Sequence, residues 1–285
     1  MTRILAFAGT KQAGKTTSSN FIHGYQLRAH GIIDNFAVME DGTLYISSEN
    51  SNGGILDVNR NDPEFAEWAS YNMWPYVRVY SFASVLKEMS VNLFDLKREN
   101  IYGNNQQKNK ATNYRWEDMP GIVSDENMLK SKHVKELIDS GNLSFHKSGR
   151  MSHREFLQFF GTKICRKIYD EIWHEITINK ILTEEPLIAL IDDCRFINEV
   201  EAIKANGGKV IYLSRNPYED DDISENELKN YDEFDYIIDN TDMSIHDTNV
   251  EIIKAIEQFG WLGEEINVKQ KTTNDSGIHT FRKDA

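Results

Sequence analysis

Short apolar runs alternate along this chain with longer segments whose apolar residues recur every three or four positions, the pattern of strands and helices taken in turn. The first run, RILAFAG (3–9), is apolar almost throughout and ends on glycine, as an interior strand covered on both faces requires. The spacing after it predicts a helix from Lys15 to about Arg28. YVRVYSF (76–82), PLIALIDD (186–193), KVIYLSR (209–215) and FDYIIDN (234–240) read as four more strands. Between them, ASVLKEMSVNLF sets Val85, Met89 and Leu93 on one helical face, INEVEAIKANGG reads as a helix closed by Gly207, and residues 244–259 read as a last helix. Ser152 and Glu155 form a capping-box pattern at the start of a long core helix on which Phe156, Phe160, Ile164 and Ile168 share a face. Five buried strands separated by helices predict an α/β fold, a parallel doubly wound sheet with helices on both faces and right-handed crossovers.

Two stretches interrupt the alternation. From about 34 to 75 the chain breaks into short alternating pieces such as FAVMEDGTLYIS, in which Asp41-Gly42 reads as a hairpin turn, so this segment is expected to be an insertion outside the core. From about 97 to 150 it is polar and loop-rich apart from a short helix in SKHVKELIDS, and is expected to be a mobile or ligand-facing excursion resembling a lid. Residues 1–262 are thus predicted to form one domain, followed by a polar, loose tail over 263–285.

Composition narrows the function. A net charge of −13 offers no general attraction to DNA or RNA backbones, so a polymeric nucleic acid is excluded as the expected partner. No stretch approaches the ~20 apolar residues of a membrane helix, and Cys165 and Cys194 stand apart from any Cys or His at metal spacing. A reduced, cytoplasmic protein without membrane contact is expected. The acidic run YEDDDISENE (218–227) reads as a solvated loop, and the scattered histidines argue against a zinc site.

The chemistry begins at FAGTKQAGKTT (7–17), where Gly9 and Gly14 stand five apart and Lys15-Thr16 follows directly, between a buried strand and a helix. In this phosphate-binding pattern backbone N–H groups of residues 11–16 wrap a triphosphate, Lys15 bridges its outer phosphates and the Thr16 hydroxyl holds Mg²⁺. Gly9, Lys11, Ala13, Gly14, Lys15, Thr16 and Thr17 are therefore the candidate ATP-binding residues. Asp192-Asp193-Cys194-Arg195 ends the most apolar strand, at the carboxyl edge where ligands gather in open α/β sheets. There Asp193 is the favoured second metal ligand and Arg195 the favoured phosphate contact, against the alternative of a solvated strand end whose aspartate caps the next helix. Lys87, Arg166, Lys167 and Arg215 add cations near strand ends or on the long helix, as phosphoryl transfer requires.

Taken together, GTKQAGKTT, WPYVRVYSFASVLKE, YGNNQQKNKATNYRWEDMPG, LQFFGTKICRKIYDEIWHE, IDDCRFINEVEAIKANGGKVIYLSRNP and FDYIIDN resemble, in order and over roughly residues 3–260, the phage-type deoxynucleoside monophosphate kinase family. The resemblance implies a P-loop kinase fold of the nucleoside monophosphate kinase type, ATP and Mg²⁺ as co-substrates, a deoxynucleoside monophosphate as acceptor, and a place in nucleotide supply for viral DNA synthesis. Position by position it implies that Lys87, Gln158, Gly161, Thr162, Arg166, Trp173, Arg195 and Glu199 line the acceptor side, and that Arg215 faces the donor phosphates or adenine. Where the family commonly has Asp-Pro this chain has Ser84-Val85, so any role of that aspartate is lost or passes to Asp193; Ile197 stands where the family favours proline.

The reading is phosphoryl transfer with Lys15, Asp193 and Arg195 as the catalytic residues and Thr16 and Asp193 at the metal. A general base is not needed, because a phosphate acceptor is already ionised. The partners are small nucleotides, and a homodimer is left open. Two alternatives stand beside it: a P-loop kinase acting on a nucleoside or coenzyme-precursor hydroxyl, and a non-catalytic ATP-binding module. A regulatory GTPase is disfavoured by the lack of an N-K-x-D guanine motif at a strand end.

Overall fold

The computed structural model describes residues 2–48, 51–60, 62–216 and 227–261. They group into two compact units, one formed by the chain up to Phe82 and from His174 onward, the other by Ala83–Trp173. The tail 263–285 and all but the last residue of the acidic run 218–227 lie outside the described residues.

The first unit opens with β1 (Arg3–Ala8), α1 (Lys15–Ala29), β2 (Asn35–Val38), β3 (Leu44–Ser48), β4 (Ser51–Leu56), α2 (Pro63–Asn72) and β5 (Val77–Tyr80). In the second unit follow α3 (Ala83–Phe94), α4 (Arg98–Ile101), α5 (Asn105–Lys108), β6 (Ala111–Arg115), β7 (Ile122–Val123), α6 (Lys132–Asp139), β8 (Ser144–Phe145), β9 (Arg150–Ser152), α7 (His153–Gln158) and α8 (Arg166–Ile168). The chain leaves it within α9 (Ile172–Glu184) and completes the first unit with β10 (Ile188–Cys194), α10 (Ile197–Ala205), β11 (Lys209–Leu213), β12 (Tyr236–Ile238) and α11 (Ile245–Gln258).

The five apolar runs form one parallel sheet in the order β12-β11-β1-β10-β5, as their continuous hydrophobicity predicts. Strand alternation divides β1 between two layers. Leu5 and Phe7 pack with Ile22 and Leu27 of α1 and Ile252 and Ile256 of α11, whereas α10 lies against β1 and β11 and brings Ile203 beside Ile4. Phe7 is fully buried, and each such side chain contributes ~1.5–3 kcal/mol relative to exposure.

The segment from 34 to 75 holds the expected hairpin, with Phe36 opposite Ile46 and Val38 opposite Leu44, and adds β4 as a third antiparallel strand. It corrects the expectation of an insertion outside the core. Leu44, Leu56, Phe65, Ala69 and Met73 belong to the same hydrophobic cluster as Phe7. The physical reason is the alternation itself, since a small sheet with one apolar face must bury it, and the flank of α1 is where it does so. Asn20 of α1 donates to the Gly42 carbonyl at the hairpin turn, 2.9 Å away.

The second unit has its own core of Leu96, Ile101, Met151, Phe156 and Phe159, with Phe94, Tyr114 and Trp116 packed on it. The stretch from 97 to 150 is thus more structured than its polar composition predicts, with β6 paired to β9 and β7 to β8. Ser152 caps the long helix as expected, accepting from the Glu155 N–H while Glu155 accepts from the Ser152 N–H. Between α7 and α8 the helix widens into a π-helical stretch, Phe159–Cys165. That wider turn ends the predicted apolar stripe before Ile168, because it carries more residues per turn than the 3.6 on which the spacing rests. Phe156 is buried and Phe160 and Ile164 still pack against the core as the stripe predicts, but Phe159 and Cys165 turn inward as well and Ile168 is 81% exposed.

Candidate active site

Between β1 and α1 the chain makes a tight loop in which the Ala13 N–H donates to the Thr10 carbonyl at 3.2 Å. Gly9 has φ 142° and no room for a side chain, since a β-carbon there would lie 2.6 Å from the Leu213 carbonyl oxygen of β11. The first turn of α1 has no side-chain cap, so its N–H groups and dipole favour an anion. Lys15 is buried there and donates from Nζ to the Gly9 and Thr10 carbonyls at 2.7 and 2.6 Å. Burial, and next the nearby Arg195 cation, pull its pKa down to about 8 against the opposing pull of Asp193 and Asp192.

The end of β10 faces this loop with one of its two carboxylates. Asp192 Oδ2 accepts from the Thr16 hydroxyl at 3.0 Å. Asp193 accepts from the Ser81 hydroxyl at 2.5 Å and the Phe82 N–H at 3.0 Å, which ties it to the chain leaving β5. Successive strand residues point to opposite sides, so one position decides which carboxylate meets Thr16. The carboxylate bonded to that hydroxyl is therefore Asp192, not the Asp193 that the sequence favoured. Glu199, 2% exposed, accepts from the Arg195 and Phe196 N–H groups at 2.9 and 3.2 Å and so caps α10. The Cys194 thiol is fully buried and held protonated by burial and by neighbouring Glu199 and Asp193.

Two further residues reach the loop from the strands on the other side of β1 from β10. Arg215 donates from Nη2 to the Gln12 carbonyl at 3.0 Å, and its own carbonyl accepts from the Thr10 hydroxyl at 3.1 Å. Asn240, after β12 and 2% exposed, donates to the Ala13 carbonyl at 2.8 Å and accepts from the Arg215 N–H at 3.0 Å. Sequence reasoning missed Asn240 as a site residue. The only signal was its position at the carboxyl end of an apolar run.

Among the residues expected on the acceptor side, Lys87, Gln158, Gly161, Thr162, Arg166 and Trp173 belong to the second unit. Gln158 and Thr162 are exposed, and Arg166 is half-buried with Asp170 3.7 Å away. Gly161 lets Leu86 of α3 approach, for a β-carbon there would lie 2.6 Å from Leu86 Cδ2. Trp173 is buried and donates from its indole N–H to the Gly161 carbonyl at 3.3 Å, so both residues hold the packing of this helix. Lys87 lies 5.5 Å from the centre of the Tyr102 ring. Lys108 is held below the usual lysine range by burial and by the cations of Lys87 and Arg154. Arg154 donates to Asn105 and Asn109 at 2.8 and 3.3 Å. No ion pair joins these three cations to a carboxylate among the described residues. Lys108 and Arg154 were not singled out from the sequence, although Lys108 lies within the quoted stretch YGNNQQKNKATNYRWEDMPG.

Residues 84–252 match the family model described as deoxynucleotide monophosphate kinase. The match spans more than half of the chain and takes in Lys87, Lys108, Arg154, the end of β10, Arg215 and Asn240, while the glycine loop lies before it. A comparison with curated proteins gives no match. The extent of the family match decides the matter, and the chain belongs to the deoxynucleotide monophosphate kinase family.

Proposed function

We propose that the protein transfers the terminal phosphate of ATP to a deoxynucleoside monophosphate, giving ADP and the deoxynucleoside diphosphate. The observation that carries the ATP part is the buried Lys15 at the uncapped start of α1, hydrogen-bonded to two loop carbonyls and beside the Thr16–Asp192 pair. A cation so desolvated is costly unless an anion completes its surroundings. On this reading the N–H groups at the start of α1 and the Lys15 ammonium bind the outer phosphates of ATP. Thr16 Oγ1 and an Asp192 oxygen, both hard oxygen donors, would hold Mg²⁺ directly or through water. When bound there, the ion neutralises charge shared between the outer phosphates. Asp193 then acts through structure, anchoring the chain after β5 beside Asp192.

Arg195 and Arg215 are proposed to neutralise charge as the phosphoryl group moves in line. In the second unit, Lys87, Lys108 and Arg154 are proposed to hold the acceptor phosphate, which supplies the negative charge their mutual repulsion calls for. Gln158 and Thr162, exposed on the same helix as Arg154, are proposed to contact the rest of the acceptor. The attacking phosphate oxygen is ionised at neutral pH, so alignment and exclusion of water do the work that a general base does elsewhere.

The test is ADP release by purified protein given MgATP and a panel of deoxynucleosides and their monophosphates. Turnover with one or more monophosphates and none with the nucleosides is expected. Turnover with nucleosides alone would turn the assignment to a hydroxyl-phosphorylating kinase, and ATP binding with no acceptor-dependent turnover to a binding module.

A further inference from the structure

We infer that Asn240 is a positioning residue for the triphosphate-binding loop, acting by setting the direction of the Ala13–Gly14 peptide; this rests on the proposed ATP reading. Three loop residues have positive φ: Gly9 at 142°, Gln12 at 61° and Gly14 at 105°. Gln12 is no glycine, so its left-handed backbone is strained and persists only when something outside the loop holds it. Four loop carbonyls are held by side chains: Gly9 and Thr10 by Lys15, Gln12 by Arg215, and Ala13 by Asn240. Of these holders Lys15 and Arg215 are themselves assigned to phosphate, whereas Asn240 is buried and neutral.

Its two bonds make a rigid relay. The carboxamide oxygen is occupied by the Arg215 N–H and its NH₂ by the Ala13 carbonyl, so the side chain cannot turn over without losing both. Because the peptide unit is planar and trans, pinning the Ala13 carbonyl toward Asn240 turns the Gly14 N–H to the opposite side. That N–H then stands with those of Lys15 and Thr16 at the uncapped start of α1, where the phosphates are proposed to lie. Asn240 thus fixes a group that would contact ATP without touching ATP itself.

The test compares Asn240→Asp, which keeps the acceptor for Arg215 but puts a carboxylate against the Ala13 carbonyl, with Asn240→Ser, which shortens the reach. Binding of MgATP and of magnesium tripolyphosphate is measured by calorimetry, together with thermal melting and the KM of the acceptor. Both variants are expected to fold, to lose about tenfold in affinity for both polyphosphates, and to keep the acceptor KM within about twofold. Unchanged polyphosphate affinity would overturn the inference. So would a loss for MgATP that tripolyphosphate does not share, since the residue would then act on the adenosine. A parallel loss of acceptor affinity, or failure of both variants to fold, would mark a general structural role and overturn it equally. If wild-type protein binds neither polyphosphate, the ATP reading itself fails, an outcome distinct from all of these.

Discussion

Raising the pH from 7 to 9 should weaken MgATP binding about tenfold through Lys15 alone. Its pKa lies at about 8 in the free protein because burial and the Arg195 cation disfavour the charged form. If only the ammonium binds the outer phosphates, the competent fraction falls from about nine-tenths at pH 7 to about one-tenth at pH 9. A bound triphosphate restores the charge, so binding at pH 8 should take up about half a proton per site, and at pH 7 about a tenth. Calorimetry in two buffers of different ionisation enthalpy measures that uptake directly. Lys15→Met should abolish both the binding and the uptake. The contribution of the same group to stability has the opposite sign: its folded pKa is depressed, so the cost of burying the cation is present below pH 8. That cost is relieved as pH rises from about 8 toward the ordinary lysine value of 10.5. Fold stability referred to this group should therefore rise over the interval in which ATP affinity falls. Proton uptake indistinguishable from zero at pH 8, with wild-type affinity unchanged from pH 7 to 9, would refute the reasoning.

Asp192→Asn should lower kcat by ~10²-fold and weaken the dependence on magnesium, whereas Asp193→Asn should cost ~1 kcal/mol of stability by weakening the ties to Ser81 and Phe82; kinetics and melting on the two variants separate the roles. Gly161→Ala should change stability by no more than ~1 kcal/mol, read in a urea melt, because the new methyl group meets only the flexible end of Leu86, which can turn aside, while alanine favours the helix over glycine. Lys108→Ala should raise the acceptor KM by about tenfold while leaving MgATP affinity within twofold, as expected for a residue assigned to the acceptor phosphate alone.

Much of this protein is written locally. The five strands, the glycine loop at 9–14, the Asp41-Gly42 turn and the Ser152 cap each depend on residues within a few positions of one another, so periodicity and turn chemistry reveal them. The family resemblance was likewise legible, and its stretches from YGNNQQKNKATNYRWEDMPG onward fall within the matched residues 84–252, while the glycine loop lies before them. Strand order was not, because it depends on which distant runs pair: β1 lies between β10 and β11, not beside the next strand of the sheet in sequence, β5. The apolar spacing of residues 156–168 held through Ile164 and failed at Ile168, past the π-helical turn, where a wider helix changes the period the pattern assumes.

At the site the division is the same. Sequence alone determined that Lys15 follows a phosphate-type loop and that two carboxylates end a buried strand. Only the tertiary structure decided that Asp192 meets Thr16 while Asp193 meets Ser81, since alternation separates their sides but pairing chooses which side faces the loop. Only the structure brought Asn240 to Ala13 across 227 positions and gathered Lys108 and Arg154 around one repulsive centre with Lys87. Contacts at such separations arise from closing the fold around its core, and the residues they join carry no local mark of each other.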